Sequence, residues 1–233
     1  MKLKIGSLNT WLLQVYEDRI NDIVKLIIDN DIDIICFQEM TKSAIQTIAR
    51  DTNMTYIFRY GNGIISKLPI VEYKLIGLTG YRGAIKAKIL LSKKNTVTIT
   101  VTHLDHLKEN TRMLQIEKIC PYFEHVDFLI GDMNALYSDD YSKRKKERIN
   151  SRRITSKLEQ YDDKVTSFIL SKKFSINKFI CPTCPYGTRV DYIFFKQQTL
   201  DEMGLSDISH EVVDTIETQV SDHNMLIMDM KSK

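Results

Sequence analysis

The chain contains 233 residues, of which 43% are hydrophobic and 27% are charged, so it can bury a sizeable core without disulfide bonds. Its formal net charge of +3 is too small to indicate nucleic-acid binding by itself. No stretch approaches the roughly 18 consecutive apolar residues of a membrane span. Polar residues interrupt the N-terminal apolar stretch that a secretory signal would need, so we expect an intracellular protein, cytoplasmic or nuclear.

The first part of the chain alternates strand and helix patterns. A strand is predicted from Leu3 to Leu8, and Ile32 to Phe37 is a short apolar run typical of a fully buried strand. Apolar residues at helical spacing predict an amphipathic helix between them, with a stripe formed by Ile20, Ile23, Val24, Ile27 and Ile28. A second helix is predicted from Lys42 to Arg50.

The middle of the chain is rich in strand patterns. Ala84 to Leu91 and Thr96 to Thr102 are separated by four polar residues, which predicts a hairpin. In the second of these strands valine and isoleucine alternate with threonine, so one face is expected to be core and the other polar. A helix is predicted from Glu109 to Cys120, and a buried strand from Val126 to Ile130.

Basic residues dominate the stretch that follows, where few apolar residues occur, and we predict a basic loop over residues 138–153. After this stretch we predict a helix near Val165 to Leu170 and strands at Val190 to Phe195 and Asn224 to Met228. Because strands and helices are mixed and no linker divides them, one α/β domain with layered sheets is predicted over residues 1–233.

Polar residues that suit metal or phosphate binding follow the apolar strands. In layered α/β folds, loops at strand ends meet over a rigid frame and bind ligands there. The candidate residues at the strand ends are Asn9, Glu39, His103, Asp132, Asn134, Asp191, Asp222 and His223. Each one alone is better explained as a cap, a turn or a structural histidine, but their joint occurrence after six separate strands favours an active site.

The residue types in this set match the needs of phosphodiester hydrolysis. Carboxylate oxygens bind a hard cation that neutralises and polarises the phosphate, and a further carboxylate activates water. Histidine and asparagine donate to the phosphoryl oxygens as charge grows on them. The sequence contains no G-x-S-x-G elbow, no phosphate-binding loop and no dinucleotide fingerprint that would indicate another chemistry.

The same residues, in the same order, resemble the endonuclease/exonuclease/phosphatase superfamily, which includes DNase I and the abasic-site endonucleases. The resemblance spans Asn9 to His223 and is carried by Gln38-Glu39, Thr102-His103, Gly131-Asp132-Met133-Asn134, Arg189-Val190-Asp191-Tyr192 and Ser221-Asp222-His223. It implies a DNase I-like fold, a four-layered α/β sandwich in which two mostly antiparallel mixed sheets pack together and helices flank them. It also implies Mg²⁺ or Mn²⁺ as the cofactor.

The resemblance implies a role for each residue. Glu39 would be the principal metal ligand, with Asn9 and Asp222 beside it. Asp132 would orient or activate water, and Asn134 would hold Asp132 or the phosphate. Asp191 would keep His223 oriented and charged against the phosphate, and His103 would donate to a phosphoryl oxygen.

One departure from the family pattern concerns the residues after Asn9. Abasic-site endonucleases carry an acidic residue two positions after this asparagine, whereas Trp11 stands there in this chain. The departure argues against that subfamily. Trp11 itself either stacks on a base or packs in the core beside the first strand, and we favour core packing.

Other residues have two interpretations each. Arg82 reaches a phosphate or pairs with an acidic neighbour. Asp105 and His106 bind substrate or merely close the loop after the strand, and we favour loop closure. The basic stretch is a solvated loop or a nucleic-acid contact, in which case Lys143, Arg144 and Lys145 would bind the substrate backbone.

The leading hypothesis is a monomeric, metal-dependent phosphodiester hydrolase whose favoured substrate is nucleic acid. The nearest alternative is the same chemistry on a phosphoinositide, a sphingomyelin-type lipid or a tyrosyl-DNA linkage. A third is a non-catalytic binding module of the same fold, although such a module has no need to retain buried like charges.

Overall fold

Two six-stranded sheets form the centre of the protein. The computed structural model describes residues 1–11, 17–160, 162–176 and 182–232. The first sheet has the spatial order β11-β12-β1-β2-β4-β3, with strands β1 (Lys2–Asn9), β2 (Ile34–Gln38), β3 (Thr55–Arg59), β4 (Asn62–Ser66), β11 (Leu205–Val213) and β12 (Met225–Ser232). The second has the order β5-β6-β7-β8-β10-β9, with strands β5 (Ile70–Gly77), β6 (Gly83–Leu90), β7 (Thr96–His103), β8 (Phe128–Asp132), β9 (Ser175–Ile176) and β10 (Asp191–Phe195).

Both sheets are mixed and mostly antiparallel. Strand β1 is parallel to β2, and β7 is parallel to β8, while the other neighbouring strands run antiparallel. The helices are α1 (Glu17–Asp29), α2 (Lys42–Asp51), α3 (Glu109–Ile119), α4 (Lys143–Thr155), α5 (Lys164–Ser171) and α6 (Gln197–Glu202). The predicted strands and helices are thus present, with ends that differ by a few residues.

The hydrophobic core lies in three layers between four layers of secondary structure. One cluster fills the space between the sheets, a second lies between the first sheet and helices α1 and α2, and a third lies between the second sheet and helices α3 and α5. The adjacent residues Ile34 and Ile35 of β2 point into different clusters, which explains the continuous apolar run of this strand. The predicted four-layered sandwich is confirmed.

Strand β7 shows how the sheet faces differ. Val97, Ile99 and Val101 belong to the cluster between the sheets, as predicted. Thr100 and Thr102 form the opposite face, which is polar but fully buried, because the layer that contains α3 covers this sheet. The threonine face therefore contributes to the interior rather than to the surface.

The predicted basic loop at 138–153 is wrong, because most of it is helical. A 3-10 turn at Ser138–Asp140 precedes α4, and the Ser142 hydroxyl caps that helix by accepting a hydrogen bond from the Lys145 backbone. Lysine, arginine and glutamate have high helix propensity. Ile149 is the only buried residue of α4, so the helix carries almost no apolar periodicity.

No helix within the described ranges combines the length and the apolar composition that crossing a membrane requires.

Candidate active site

The strand registers bring the candidate residues to one end of the two sheets. In the second sheet His103 of β7 is the register partner of Asp132 of β8, and Asp132 is the partner of Asp191 of β10. In the first sheet Asn9 of β1 is the partner of Gln38 of β2. The chain therefore places three of these polar side chains on adjacent strands of one sheet and faces them with the ends of two strands of the other.

Asp132 lies at the centre of this set. Asn9 donates from Nδ2 to Asp132 Oδ2 at 3.0 Å, which joins the two sheets, and its Nδ2 is 3.4 Å from Glu39 Oε1. The backbone N–H of Asn134 donates to Asp132 Oδ1 at 2.8 Å. Both oxygens of a carboxylate that is only 2% exposed are thus fixed in position.

Sharp turns after the strands direct side chains into the site. Glu39 and Asn134 have φ values of 54° and 48°, in the left-handed region that non-glycine residues rarely adopt. Gly131 has φ 138°, and a Cβ atom there would lie 1.9 Å from the Thr102 carbonyl oxygen. Only glycine therefore lets β7 approach β8 closely enough to set His103 beside Asp132.

His223 carries a positive charge. Its Nδ1 lies 2.8 Å from Asp191 Oδ2, and its Nε2 lies 4.0 Å from Asp132 Oδ2. Burial opposes the charge, but the surrounding carboxylates, Asp191 first among them, outweigh it and raise the pKa of His223 to about 11. The imidazolium is therefore the form present at neutral pH.

Two hydroxyl groups hold this pair in place. The Thr183 hydroxyl oxygen accepts hydrogen bonds from the backbone N–H groups of Val190 and Asp191. Ser221 accepts from the backbone N–H of His223 and donates to the Asn9 carbonyl at 2.6 Å. Sequence reasoning missed Thr183, because it lies outside the strand-end motifs.

His103 is neutral. Burial, followed by the charges of Arg82, His223 and His106, holds its pKa well below the usual value. Arg82 Nη1 lies 2.8 Å from His103 Nδ1, and a guanidinium group can only donate. The ring therefore accepts at Nδ1 and carries its proton on Nε2, which faces Asp132 Oδ2 at 3.5 Å and Glu39 Oε1 at 3.9 Å.

Asn134 lies on the same ring edge. Its Nδ2 is 3.0 Å from His103 Nε2 and donates to the Leu104 carbonyl at 3.1 Å. Because a neutral imidazole accepts at one nitrogen only, Arg82 and Asn134 compete as donors to this ring. The shorter contact belongs to Arg82, so with the proton on Nε2 the Asn134 amide makes no hydrogen bond to the ring and donates to the Leu104 carbonyl instead.

The carboxylates fit a hard divalent cation. Burial and then the Asp191 charge raise the pKa of Asp132 to about 7, and burial also raises the pKa of Asp222. The Oδ1 atoms of Asp191 and Asp222 are buried with no hydrogen-bond partner among the residues that the structure describes. Such carboxylate oxygens are the donors that Mg²⁺ and Mn²⁺ prefer.

One group of possible metal ligands lies close together. Ligand atoms of Asp132, Asp191 and His223 lie within 4.8 Å of one another, but His223 already uses Nδ1 for Asp191 and is positively charged. Glu39 contributes to the raised pKa of Asp222, and metal ligation by these two carboxylates remains a prediction. Asn9 presents its Nδ2 rather than its oxygen to the carboxylates, so metal ligation by Asn9 remains a prediction.

The predicted substrate-binding residues lie at different distances from this centre. Arg82 contacts His103, so it pairs with a histidine rather than with an acid. Lys143, Arg144 and Lys145 are exposed in the first turn of α4, and their contact with substrate remains a prediction.

A cavity of about 430 Å³, which we call the side cavity, opens beside Asn134 and His223. The last turn of α4 contributes Arg152 and Arg153 to its lining, whereas the first turn does not contribute to it. His106 also lines it. Asp105 closes the loop after β7, as predicted, because its Oδ1 accepts hydrogen bonds from the backbone N–H groups of Leu107 and Lys108.

The favoured core position of Trp11 is wrong. Its side chain is 57% exposed next to the site, with the Arg19 guanidinium 5.7 Å from its ring. The physical reason is the left-handed backbone conformation of Trp11, φ 48°, two residues after the end of β1. The sequence also contains a C-x-x-C pair, of which Cys181 lies outside the described residues and Cys184 is buried against Thr188.

Comparison with known proteins identifies a matching family and solved structures with a similar fold. A model described as "Endonuclease/Exonuclease/phosphatase family" matches residues 6–223, and no curated protein sequence matches the chain. A functionally unknown conserved protein from Enterococcus faecalis V583 is similar in structure, with a TM-score of 0.72, 18% identity and coverage of 99% of this chain and 100% of that chain.

Two further solved structures are similar. One is D. rerio TDP2 complexed with single strand DNA product, with a TM-score of 0.68, 14% identity and coverage of 99% of both chains. The other is the human Nocturnin catalytic domain with bound sulfate anion, with a TM-score of 0.69, 14% identity and coverage of 100% of this chain and 95% of that chain. At these identities the structural likeness shows the fold.

Proposed function

This chain belongs to the endonuclease/exonuclease/phosphatase family, and on that premise we propose that it is a divalent-metal-dependent phosphodiesterase whose favoured substrate is nucleic acid. One observation carries the proposal: Asp132 lies between a charged His223 and a neutral His103, with Glu39 and Asn9 facing it from the other sheet. A buried set of this kind is costly to maintain unless it binds a cation and a phosphate.

Glu39 and Asp222 would hold Mg²⁺ or Mn²⁺, with Asn9 beside them. A cation bound there would neutralise the phosphate and polarise a phosphoryl oxygen. Glu39 fits this role because its side chain is 25% exposed and so reaches the site entrance, whereas Asp132 is buried behind it.

Asp132 is the proposed acceptor of the proton from the attacking water. Asn9 and the Asn134 backbone fix its two oxygens, so it meets the water without reorganisation. A pKa of about 7 makes Asp132 a stronger base than an ordinary carboxylate.

The two histidines are the proposed donors to the phosphoryl oxygens. His223 offers a charged N–H from Nε2, and Asp191 keeps the ring oriented and protonated. His103 offers a neutral N–H from Nε2, because Arg82 occupies its other nitrogen. Asn134 would hold the phosphate through its side-chain amide, beside His103.

Nucleic acid is the favoured substrate for two reasons. The basic helix α4 begins eleven residues after Asp132, and its last turn borders the site. The similar D. rerio TDP2 structure holds a single-stranded DNA product. Lys143, Arg144 and Lys145 would follow the backbone of longer strands, and Arg82 would reach a phosphate through guanidinium N–H groups that do not contact His103.

The test is hydrolysis of single-stranded DNA, duplex DNA and RNA, each with Mg²⁺, with Mn²⁺ and with EDTA. Glu39→Gln and Asp132→Asn are expected to lower kcat by at least about 10³-fold. Glu72→Gln and Asp207→Asn are matched controls, since both residues are exposed on strands away from the site, and they should retain the wild-type rate. Wild-type rates in both site variants, or full activity in EDTA, would contradict the proposal.

A further inference from the structure

Asn62 places a polar side chain in the apolar layer between the two sheets. It is the first residue of β4, and Ile64, two residues later on the same strand face, belongs to the hydrophobic cluster between the sheets. Asn62 is fully buried, and its Oδ1 has no hydrogen-bond partner among the residues that the structure describes. A buried acceptor without a partner lowers the stability of the fold, so stability alone does not explain an asparagine here.

The nitrogen of the same amide joins the two sheets. Asn62 Nδ2 donates to the Gly83 carbonyl at 2.9 Å, and Gly83 is the first residue of β6 in the second sheet. The contact of Nδ2 with the Tyr60 carbonyl, in the same hairpin, is 3.5 Å long and therefore weak. The bond to Gly83 is thus the main contact of this side chain, and it fixes a backbone position in the opposite sheet.

Two further groups hold Gly83 in place. A Cβ atom on Gly83 would lie 2.1 Å from Cδ2 of Tyr60, so the Tyr60 ring packs directly on the glycine backbone. The Thr102 hydroxyl of β7 donates to the Gly83 carbonyl at 3.1 Å. Gly83 is therefore fixed from the first sheet by Asn62 and Tyr60 and from its own sheet by Thr102.

Arg82 directly precedes this fixed position. Its carbonyl accepts a hydrogen bond from the Leu78 backbone N–H at 2.9 Å, and its Nη1 lies 2.8 Å from His103 Nδ1. An arginine side chain has many rotamers, so its contact with one ring nitrogen depends on where its backbone is held. A shift of Gly83 would therefore move the guanidinium relative to the His103 ring.

We propose that Asn62 is a positioning residue for Arg82. By holding the Gly83 carbonyl, it places the Arg82 guanidinium where it donates to His103 Nδ1, which keeps the ring proton on Nε2. The inference rests on the proposed phosphodiesterase activity and adds to it a residue of the first sheet that acts on His103 through Arg82. The unpartnered Oδ1 is the cost in stability of this placement.

The test compares Asn62→Leu with Thr100→Val. Leucine has nearly the shape of asparagine but cannot donate to Gly83. Thr100 is a matched control, because its Oγ1 is also fully buried and has no partner in the described part of the chain. Asn62→Leu is expected to lower kcat for single-stranded DNA about fivefold, the rate equivalent of one ordinary hydrogen bond, while Tm stays the same or rises. Thr100→Val should change kcat by less than about twofold.

A double-mutant cycle shows whether Asn62 acts through Arg82. In the Arg82→Met background Asn62→Leu should have no further effect on kcat, because the group that it positions is already gone. A full fivefold loss in that background would overturn the proposal, as would a wild-type kcat in Asn62→Leu alone. Asn62→Ala removes the same amide without adding bulk, and it replaces the leucine variant in the cycle if leucine prevents folding.

A second measurement does not depend on activity. The nitrogen chemical shifts of the His103 ring, measured by NMR at one fixed pH in the metal-free protein, distinguish a proton on Nε2 from one on Nδ1. We expect the wild type and Thr100→Val to carry the proton on Nε2, and Asn62→Leu to show a mixture of both forms. If the wild type hydrolyses none of the substrates, the proposed function fails. Unchanged ring shifts in Asn62→Leu would, independently of that result, reject the positioning role of Asn62.

Discussion

Two histidines flank the Asp132 carboxylate, and one of them is charged while the other is neutral. His223 contacts the Asp191 carboxylate through Nδ1 at 2.8 Å, and its pKa rises to about 11. His103 contacts the Arg82 guanidinium through Nδ1, also at 2.8 Å, and its pKa falls well below the usual value. Both rings are largely buried, so burial alone does not distinguish them.

The difference shows that the partner behind each ring decides its chemistry. A carboxylate behind His223 stabilises the added proton, whereas an arginine behind His103 excludes it and fixes the remaining proton on Nε2. The site therefore contains one charged and one neutral N–H donor. Replacing Asp191 or Arg82 is the most direct test of whether these partners set the two charges.

The largest effect is expected for Asp191→Asn. The amide cannot hold His223 as a cation, so the pKa of His223 should fall and its donation to the phosphate should weaken. We expect kcat for single-stranded DNA to fall about 10²–10³-fold. NMR titration of the His223 ring measures the pKa, and steady-state kinetics measure the rate. Asp207→Asn is the matched control. An unchanged His223 pKa in Asp191→Asn would show that Asp191 does not keep His223 charged.

A smaller effect is expected for Arg82→Met. Removing the guanidinium takes away the largest charge that lowers the pKa of His103, so this pKa should rise while burial still holds it below the usual value. Since His103 then loses its fixed tautomer, we expect kcat to fall about tenfold. Arg59→Met, at an exposed arginine, serves as the control. A His103 pKa that stays the same or falls further would show that Arg82 does not set it.

The smallest effect concerns stability and pH. The pKa of His223 is higher in the folded than in the unfolded protein, so its contribution is complete below about pH 6.5 and declines as the pH rises towards about 11. Between about pH 7.5 and 8.5 the metal-free wild type should lose about 1 kcal/mol more than His223→Gln does. Calorimetry should show this as a Tm decrease that is about 3 °C larger in the wild type. Because His223 also lowers the raised pKa of Asp132, an NMR titration of the His223 ring accompanies the calorimetry, and a ring that titrates near its ordinary pKa would mean that His223 is not charged in the folded protein.

The sequence predicts the strand-end residues well, and the physical reason is simple. An apolar run ends where the chain leaves the core, so a polar residue such as Asp132 after such a run marks the rim of the sheet. The structure brings that rim together from both sheets. Apolar patterning does not predict helix α4, because the helix is stabilised by residues of high helix propensity and by the Ser142 cap rather than by a buried apolar stripe.

Contacts between distant segments also lie beyond sequence reasoning. Arg82 and His103 are on different strands, and nothing in the local pattern of either indicates that one contacts the other. Arg152 resembles the other basic residues around it until the position of Ile149 shows which helix face covers the cavity. The exposed position of Trp11 depends on one left-handed turn, which an apolar residue type does not predict.

The position of β1 has a consequence for biosynthesis. This strand lies between β2 and β12, with Lys2 opposite Lys231 and Ser7 opposite Leu226. On the ribosome, β1 is made before the other strands of its sheet and stays without its β12 neighbour until β12 follows. Asn9 ends β1 and His223 precedes β12, so the candidate site is assembled, and this edge of β1 is covered, only when β12 pairs with β1.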